Sequence, residues 1–176
     1  MEDTMPRLPQ LTEDPDGLLE ETRRQLGRVP NLYAALANGP AALRGYLAMR
    51  DALSRGVLRA RLREQIALLV AQENRCVYCV SAHTLRGGLM GMDGRQLERT
   101  RDARDDDPHT EAVLRLTRQV VRTGGRVDDE ELALARKAGV TDAELAEIVA
   151  HVALNTLSNH FNHLARPDLD FPEVTV

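Results

Sequence analysis

Apolar residues recur at intervals of three and four along most of the chain, which is the spacing of an amphipathic α-helix. The pattern begins at Gly17, is interrupted over 27–31 and is renewed at Pro40, a residue typical of a first helical position. The segment 58–72 carries the most apolar face and predicts a buried helix. Sustained alternation of apolar and polar residues is absent from the sequence, so we predict an all-α fold, a helical bundle.

A further helix is predicted to begin near Cys76 and to end at Gly87 and Gly88, because glycine commonly closes a helix. The charged segment that follows this helix is predicted to form a loop. Asp107 and Pro108 are the residue types of an N-cap and a first helical position, and the apolar period behind them predicts another amphipathic helix.

Two more helix starts are recognisable from their capping residues. Asp128 is predicted to cap a short helix that Gly139 closes. Thr141 and Glu144 have the capping-box spacing, and they predict a last helix that continues to about Asn159.

The two ends of the chain lack the helical period. Residues 1–16 contain three prolines and predict an extended arm that packs on another surface, and residues 167–176 predict a non-helical tail. At 176 residues the chain has the length of one domain with an adequate core. We therefore expect a single all-helical domain over 1–176 that needs no cofactor for its stability.

Charge and composition narrow the possible partners. The 23 basic and 27 acidic residues are interleaved and give a net charge of −4, which argues against a nucleic-acid partner. Neither a long apolar stretch nor a signal-like start is present, so we expect a cytoplasmic protein with no membrane partner. In a reducing cytosol the two cysteines are not expected to form a crosslink for stability.

One segment of the chain aligns with another at an offset of 83 residues. Residues 56–79 match 139–162 without gaps, and six of the 24 positions are identical. The similarity reflects either a duplicated helical unit or two amphipathic helices of convergent composition. In the second segment Asn159 and Asn162 take the places of the two cysteines, so a duplicated scaffold would carry its chemistry in one half only.

The two cysteines and a histidine form a candidate site. Cys76 and Cys79 lie three residues apart at a predicted helix start, where unpaired backbone N–H groups and the helix dipole favour a thiolate. His83 lies one turn after Cys79 on the same face and could exchange its proton. Cys76 shares this face, and it could form a disulfide with Cys79 once a peroxide has oxidised Cys79 to a sulfenic acid.

Glu64 and Tyr78 are further candidates, each with two interpretations. Glu64 lies among apolar residues, so it is either a boundary residue turned to solvent or a buried carboxylate in a proton relay, with a pKa raised by desolvation. Tyr78 is either a core side chain with a bonded hydroxyl or a member of that relay. Core packing is the simpler interpretation of Tyr78.

Zinc binding is the main alternative chemistry. Cys76, Cys79 and His83 would supply three ligands. The candidates for the fourth ligand are His151, His160 and His163. Structural zinc sites normally use two separated ligand pairs on loops, so this spacing argues against the site and we expect no metal.

The candidate residues form one spaced pattern: a glutamate, eleven intervening residues, a CxxC pair, three residues and a histidine. These positions are Glu64, Cys76, Cys79 and His83. This arrangement resembles the signature of the carboxymuconolactone decarboxylase and alkyl hydroperoxidase D-like superfamily, in its peroxidase-related branch. The segments GRVPNLYAALANGPAALRGYL and NHFNHLARPDLDFP are also similar to that branch. The resemblance therefore covers most of the chain.

The resemblance implies an all-helical, homo-oligomeric protein of duplicated origin with a thiol peroxidase or disulfide reductase site. It assigns peroxide attack to Cys79, resolution to Cys76, and the proton relay to His83 and Glu64. Well-known hydroperoxidases of the superfamily carry a second histidine where this chain has Tyr78, and a phenol is a poor base at neutral pH. Decarboxylase members lack the cysteine pair, which argues against lactone decarboxylation by this chain.

Two hypotheses of different classes result. The first is a thiol-dependent peroxidase that reduces hydroperoxides through a Cys76–Cys79 disulfide cycle, with a dithiol or protein reductant as its second partner. The second is a redox-responsive binding or regulatory protein with little turnover of its own.

Overall fold

Helices are the only regular secondary structure in residues 5–176, the part of the chain that the computed structural model describes. In chain order they are α1 (Leu18–Leu26), α2 (Asn31–Leu36), α3 (Pro40–Leu53), α4 (Ala60–Glu73), α5 (Val77–Leu89), α6 (Gly94–Arg101), α7 (Pro108–Thr123), α8 (Asp129–Lys137) and α9 (Asp142–Ala165). The predicted all-α fold is confirmed. None of these helices is long and apolar enough to cross a membrane.

Helix α4 lies at the centre of the bundle and packs against α5, α6, α7 and α9. Its sequence is apolar on two sides, so it joins two parts of the core. Leu68 packs with residues of α2, α3 and α5, whereas Ile66 and Val70 pack with residues of α7 and α9. Each of these side chains is fully buried and contributes about 1.5–3 kcal/mol by leaving water. The predicted buried helix is therefore confirmed.

The predicted helix starts are also confirmed. The carboxylate of Asp107 accepts a hydrogen bond from the Thr110 backbone N–H at 2.9 Å, and Pro108 is the first residue of α7. Thr141 and Glu144 form a reciprocal capping box at the start of α9. Side-chain caps satisfy N–H groups that the first turn of a helix leaves unpaired, so they are readable from short sequence patterns.

The predicted end of α5 is wrong, because Gly87 and Gly88 lie inside this helix and it continues to Leu89. A Cβ on Gly87 would overlap the side chains of Met92 and Leu97. Glycine therefore lets α6 approach α5 closely instead of ending α5. Helix α6 itself was not predicted from the sequence.

Helix α9 continues to Ala165, past its predicted end near Asn159. The residues at the buried positions of this extension include Asn159 and Asn162, and their polarity breaks the apolar period. Arg166 is the C-cap of this helix, and its backbone has a left-handed conformation with φ 48°.

Non-helical segments at both ends of the chain lie against the bundle. Within residues 5–16, the Arg7 N–H donates to the Ala165 carbonyl at 2.8 Å and the Leu11 N–H donates to the Ala34 carbonyl at 2.9 Å. Residues 1–4 of the predicted arm lie outside the described residues. The segment after Arg166 contains no helix and runs beside α5, where the Val174 N–H donates to Ser81 Oγ at 2.9 Å.

The two segments that align in the sequence pack against each other through α4 and α9. Glu147 of α9 accepts hydrogen bonds from the backbone N–H groups of Val57 and Leu58, at 2.8 and 3.1 Å, just before α4 begins. Gly56 leaves room for this carboxylate, because a Cβ at that position would overlap it. The contact fixes the start of α4 on α9.

Candidate redox site

The cysteines lie where one helix ends and the next begins. Arg75 follows α4 in the left-handed conformation with φ 55°, and the Cys76 N–H then donates to the Ala71 carbonyl at 2.9 Å. This is the hydrogen bond that closes a helix by a left-handed turn, a position where glycine is common and arginine is strained by about 1–2 kcal/mol. Cys76 becomes the N-cap of α5, as the predicted helix start required.

Cys76 and Cys79 are joined by a disulfide, with their Cα atoms 5.3 Å apart. The Cys79 backbone N–H donates to Cys76 Sγ at 3.3 Å, so a sulfur atom takes the place of the usual oxygen cap. Both side chains are buried, with 2% and 3% of their surface exposed. Their burial means that a reactant reaches either sulfur only through a cavity.

An asparagine of α9 contacts both sulfurs. Asn162 Nδ2 donates to Cys79 Sγ at 3.1 Å and lies 4.0 Å from Cys76 Sγ. One turn earlier, Asn159 Oδ1 accepts a hydrogen bond from Asn74 Nδ2 at 3.0 Å. Both asparagines are the counterparts of the cysteines in the internal alignment, but the sequence alone predicted no role for them. The two aligned segments thus bring their equivalent residues together at one site.

Glu64, on α4, and His83, on α5, form a buried pair in which His83 Nδ1 lies 2.6 Å from Glu64 Oε1. Arg86, one turn after His83, reaches the same carboxylate oxygen with its Nε at 3.2 Å. Arg86 was not predicted as a site residue from the sequence, although its spacing of three from His83 places it on the same helix face. Glu64 is therefore buried and not turned to solvent, while its part in a proton relay stays a prediction.

The charges of this pair follow from their surroundings. Burial raises the pKa of Glu64, but His83 and Arg86 outweigh burial and hold this pKa below its ordinary value. Burial lowers the pKa of His83, and the Arg86 charge lowers it further against the opposing effect of Glu64. At neutral pH the pair is therefore a carboxylate and a neutral imidazole. The expectation that desolvation raises the pKa of Glu64 is wrong in its net direction.

This charge state fixes the tautomer of His83. A carboxylate oxygen at 2.6 Å requires a proton on Nδ1, because two lone pairs at that distance repel each other. The close Arg86 guanidinium then bonds to the carboxylate and not to Nδ1. Nε2 is left with a free lone pair, so His83 is equipped to accept a proton.

Tyr78 lies between the cysteines and packs as a core side chain. Its hydroxyl accepts the Leu32 backbone N–H at 3.1 Å, and its ring meets Phe171 edge-on with centroids 5.4 Å apart. Burial and the nearby Asp170 carboxylate raise the pKa of Tyr78 far above its ordinary value. The phenol therefore remains protonated at neutral pH, which favours the packing interpretation over a relay base.

A cavity of about 460 Å³ opens onto Cys79 and His83. Its walls are mainly apolar and aromatic and include Leu26, Leu89 and Phe171. Such a wall favours a ligand with an apolar body. The charged residues of the lining are Arg28, Arg86 and Asp170. A larger cavity of about 910 Å³ elsewhere on the surface has none of the five predicted site residues in its lining.

Residues 5–176 contain no group of three His, Cys, Asp or Glu side chains arranged to hold a metal. His163, one of the candidate fourth ligands, instead forms a hydrogen bond: its Nε2 donates to the Asn74 carbonyl at 2.8 Å. The arrangement that the zinc alternative requires is not found in the described part of the chain.

The all-helical bundle, with its CxxC pair and its buried Glu–His pair in neighbouring helices, has the fold of alkyl hydroperoxidase D-like proteins. Residues 40–121 match the carboxymuconolactone decarboxylase family. This match covers just under half of the chain and agrees with the resemblance to the carboxymuconolactone decarboxylase and alkyl hydroperoxidase D-like superfamily that the sequence motif indicated. No curated protein matches the chain by sequence.

Solved structures share the fold over nearly the whole chain. A peroxidase-related protein with an alkylhydroperoxidase AhpD core, from Ralstonia eutropha JMP134, is 27% identical with a TM-score of 0.79, over 92% of this chain and 90% of that one. A peroxidase-related protein from Silicibacter sp. TM1040 is 21% identical with a TM-score of 0.81, over 94% and 93%. The debrominase Bmp8, as a cysteine-to-alanine variant with 2,3,4-tribromopyrrole, is 15% identical with a TM-score of 0.78, over 96% and 94%.

Proposed function

We propose that this protein is a thiol-dependent peroxidase that reduces hydroperoxides through a Cys76–Cys79 dithiol–disulfide cycle. The observation that carries the proposal is the cavity in which Cys79 and His83 lie together behind apolar walls. The imidazole is held by Glu64 with its Nε2 free, so a base and a nucleophile line the same cavity. The peroxidase-related structure that is 27% identical supports the same reaction class.

The reduced site would act in two steps. His83 takes the proton of the Cys79 thiol, and the thiolate attacks the terminal oxygen of the hydroperoxide and breaks the O–O bond. Cys79 becomes a sulfenic acid, while the alkoxide takes the proton back from His83 and leaves as an alcohol. The Cys76 sulfur then attacks Cys79, and the hydroxyl leaves as water with the Cys76 proton, which restores the disulfide.

The test is peroxide consumption in the presence of a dithiol such as dithiothreitol. Cys79→Ser should abolish turnover, because no other thiol lines the apolar cavity. Cys76→Ser should allow a single turnover and leave a sulfenic acid that dimedone labels. Unchanged turnover in Cys79→Ser would refute the proposal.

A second function is favoured by the burial of both sulfurs, which slows recycling by a bulky reductant. In this alternative the protein is a redox-responsive binding or regulatory protein whose disulfide state alters its assembly. Mass spectrometry decides between the two: one peroxide equivalent would form the disulfide in both cases, but only the peroxidase would be recycled by a reductant. The cytoplasmic location and the self-association remain predictions.

A further inference from the structure

The two sulfurs of the disulfide open onto two different cavities. Cys79 lines the apolar cavity and Cys76 does not. Cys76 lines a second cavity of about 250 Å³ between the start of α5 and the end of α9, and Cys79 does not. Tyr78 lines both cavities and so forms the wall between them.

The second cavity is basic. Arg75, at an exposed position, lines it together with His163 and Arg166, and no carboxylate of the described residues is part of the lining. Cys76 is also the N-cap of a 13-residue helix, so the positive end of the α5 dipole faces the same space. A negatively charged ligand is favoured here. The cavity beside Cys79 is also lined by Arg28 and Arg86, but these are paired with Asp170 and Glu64, and the remaining walls are mainly apolar and favour an apolar ligand.

We propose that the two half-reactions use opposite sides of the disulfide: the hydroperoxide reaches Cys79 through the apolar cavity, and a small anionic dithiol reaches Cys76 through the basic cavity. This inference rests on the peroxidase function proposed above, which left the reductant and its route open. The size of the basic cavity suits a small molecule that carries a carboxylate near its thiols.

The chemistry of exchange requires this separation. A thiolate attacks one sulfur of a disulfide from the side opposite to the other sulfur. Attack on Cys76 therefore comes from the basic cavity: a bond forms between the reductant sulfur and Cys76 Sγ, the bond to Cys79 breaks, and Cys79 leaves with the electron pair as a thiolate beside Asn162 Nδ2. The second reductant thiolate attacks the reductant's own sulfur in the mixed disulfide and releases Cys76 as a thiolate. The dithiol is oxidised, and its two protons return to the two cysteines.

Two monothiols of the same skeleton test the charge preference. The oxidised full chain is mixed, without peroxide, with 3-mercaptopropionate or with the neutral 3-mercaptopropionamide, and the rates of disulfide opening are compared per thiolate. We expect the anion to react faster and the difference to shrink at high salt, since salt screens exposed charges. Arg75→Glu should slow the anion about tenfold and leave the amide nearly unchanged.

Arg55→Glu is the matched control, because it changes the net charge equally at an exposed position that lines neither cavity. It should leave both rates unchanged. The rate of disulfide opening by the anion in Arg75→Gln should lie between the rates in Arg75→Glu and in the unmodified chain. This intermediate rate separates an effect of charge from an effect on the left-handed turn at position 75.

The position of the trapped thiol tests the route. After an acid quench and alkylation, mass spectrometry should find the added thiol on Cys76 and the alkyl group on Cys79. The added thiol on Cys79, or an equal loss of rate for both probes in Arg75→Glu, would overturn the inference. Neither readout uses peroxide turnover, so failure of the peroxidase proposal would show itself separately in the Cys79→Ser assay.

Discussion

Asn162 Nδ2 lies 3.1 Å from Cys79 Sγ. Asn162 belongs to α9, and its segment is the one that aligns internally with the segment that carries the cysteines. A hydrogen bond stabilises a charged acceptor by about 1.5–3 kcal/mol. The Asn162 amide should therefore stabilise the Cys79 thiolate more than it stabilises the Cys79 thiol. In a Cys76→Ser background, Asn162→Ala should therefore raise the pKa of Cys79 by about one unit. The pH dependence of alkylation by iodoacetamide measures this pKa.

Asn155→Ala provides the control for Asn162→Ala. Asn155 is also a buried asparagine of α9, but its amide donates to the His151 carbonyl of the same helix at 2.8 Å. This variant should leave the alkylation profile unchanged. Asn162→Asp is isosteric and should raise the pKa of Cys79 further, since it places a carboxylate beside the thiolate. Equal profiles for all variants would contradict a role of Asn162 in thiolate stability.

Glu64→Gln should lower peroxide turnover about a hundredfold, because the imidazolium that forms when His83 takes the thiol proton loses its carboxylate partner. The acid limb of the pH–rate profile should also move to lower pH, since Glu64 is the group that raises the pKa of His83. Steady-state peroxide consumption from pH 5 to 8 measures both effects.

Glu73→Gln is the matched variant for Glu64→Gln. Glu73 also lies on α4, its side chain is as little exposed, and it pairs with Arg118 and Arg122 away from the cysteines. If Glu73→Gln shifted the pH–rate profile as Glu64→Gln does, the effect would be one of stability and the relay would lose its support.

Stability should fall as the pH drops below about 6.5. Burial lowers the pKa of His83 and of His151, so the unfolded chain binds protons near pH 6.5 that the folded chain does not. The free energy of unfolding therefore rises with pH through this range, by at most about 1.4 kcal/mol per unit for each histidine. Glu64, whose pKa is lowered, acts in a separate window at and below its ordinary value of 4.5.

Urea unfolding between pH 5.5 and 7.5 tests this dependence. His83→Gln should reduce the slope of stability against pH, and His160→Gln, at an exposed position of α9, serves for comparison. A slope that His83→Gln leaves unaltered would show that His83 is not held neutral in the folded protein.

Gly56→Ala should destabilise the fold by about 1–3 kcal/mol, because its Cβ would overlap the Glu147 carboxylate that bonds the Val57 and Leu58 N–H groups. Gly45→Ala makes the same change inside α3, where a Cβ meets nothing within 4 Å, and should stabilise by about 0.5–1 kcal/mol. Thermal unfolding measures both. Changes in stability of opposite sign in the two variants would support the close approach of α9 to the start of α4. An unchanged stability in Gly56→Ala would contradict it.

The sequence contained the features that act locally. Capping boxes, prolines at helix starts and the apolar period of α4 each depend on residues within a turn or two, so they predicted helices that the structure confirms. Residues whose role depends on a distant partner were missed. Gly87 is explained only by α6, and Asn162 is buried only because the α5 start packs on it. Cys76, Cys79, His83 and Glu64 were recognised because their spacing forms one pattern, whereas the division of the two sulfurs between two cavities has no sequence signal.

Part of the apolar cavity is built from the non-helical segment that follows α9. Phe171 forms one of its walls, and Asp170 holds that segment by accepting the Asn31 N–H at 3.1 Å. A protease that cut the chain between Arg166 and Asp168 would leave every described helix whole. It would still open the apolar cavity to solvent, because the segment that carries Phe171 would no longer be attached to α9. Such a nicked preparation would keep the circular-dichroism spectrum of the intact protein but lose the proposed peroxide turnover, so chain integrity in this segment should be checked for any batch used in kinetics.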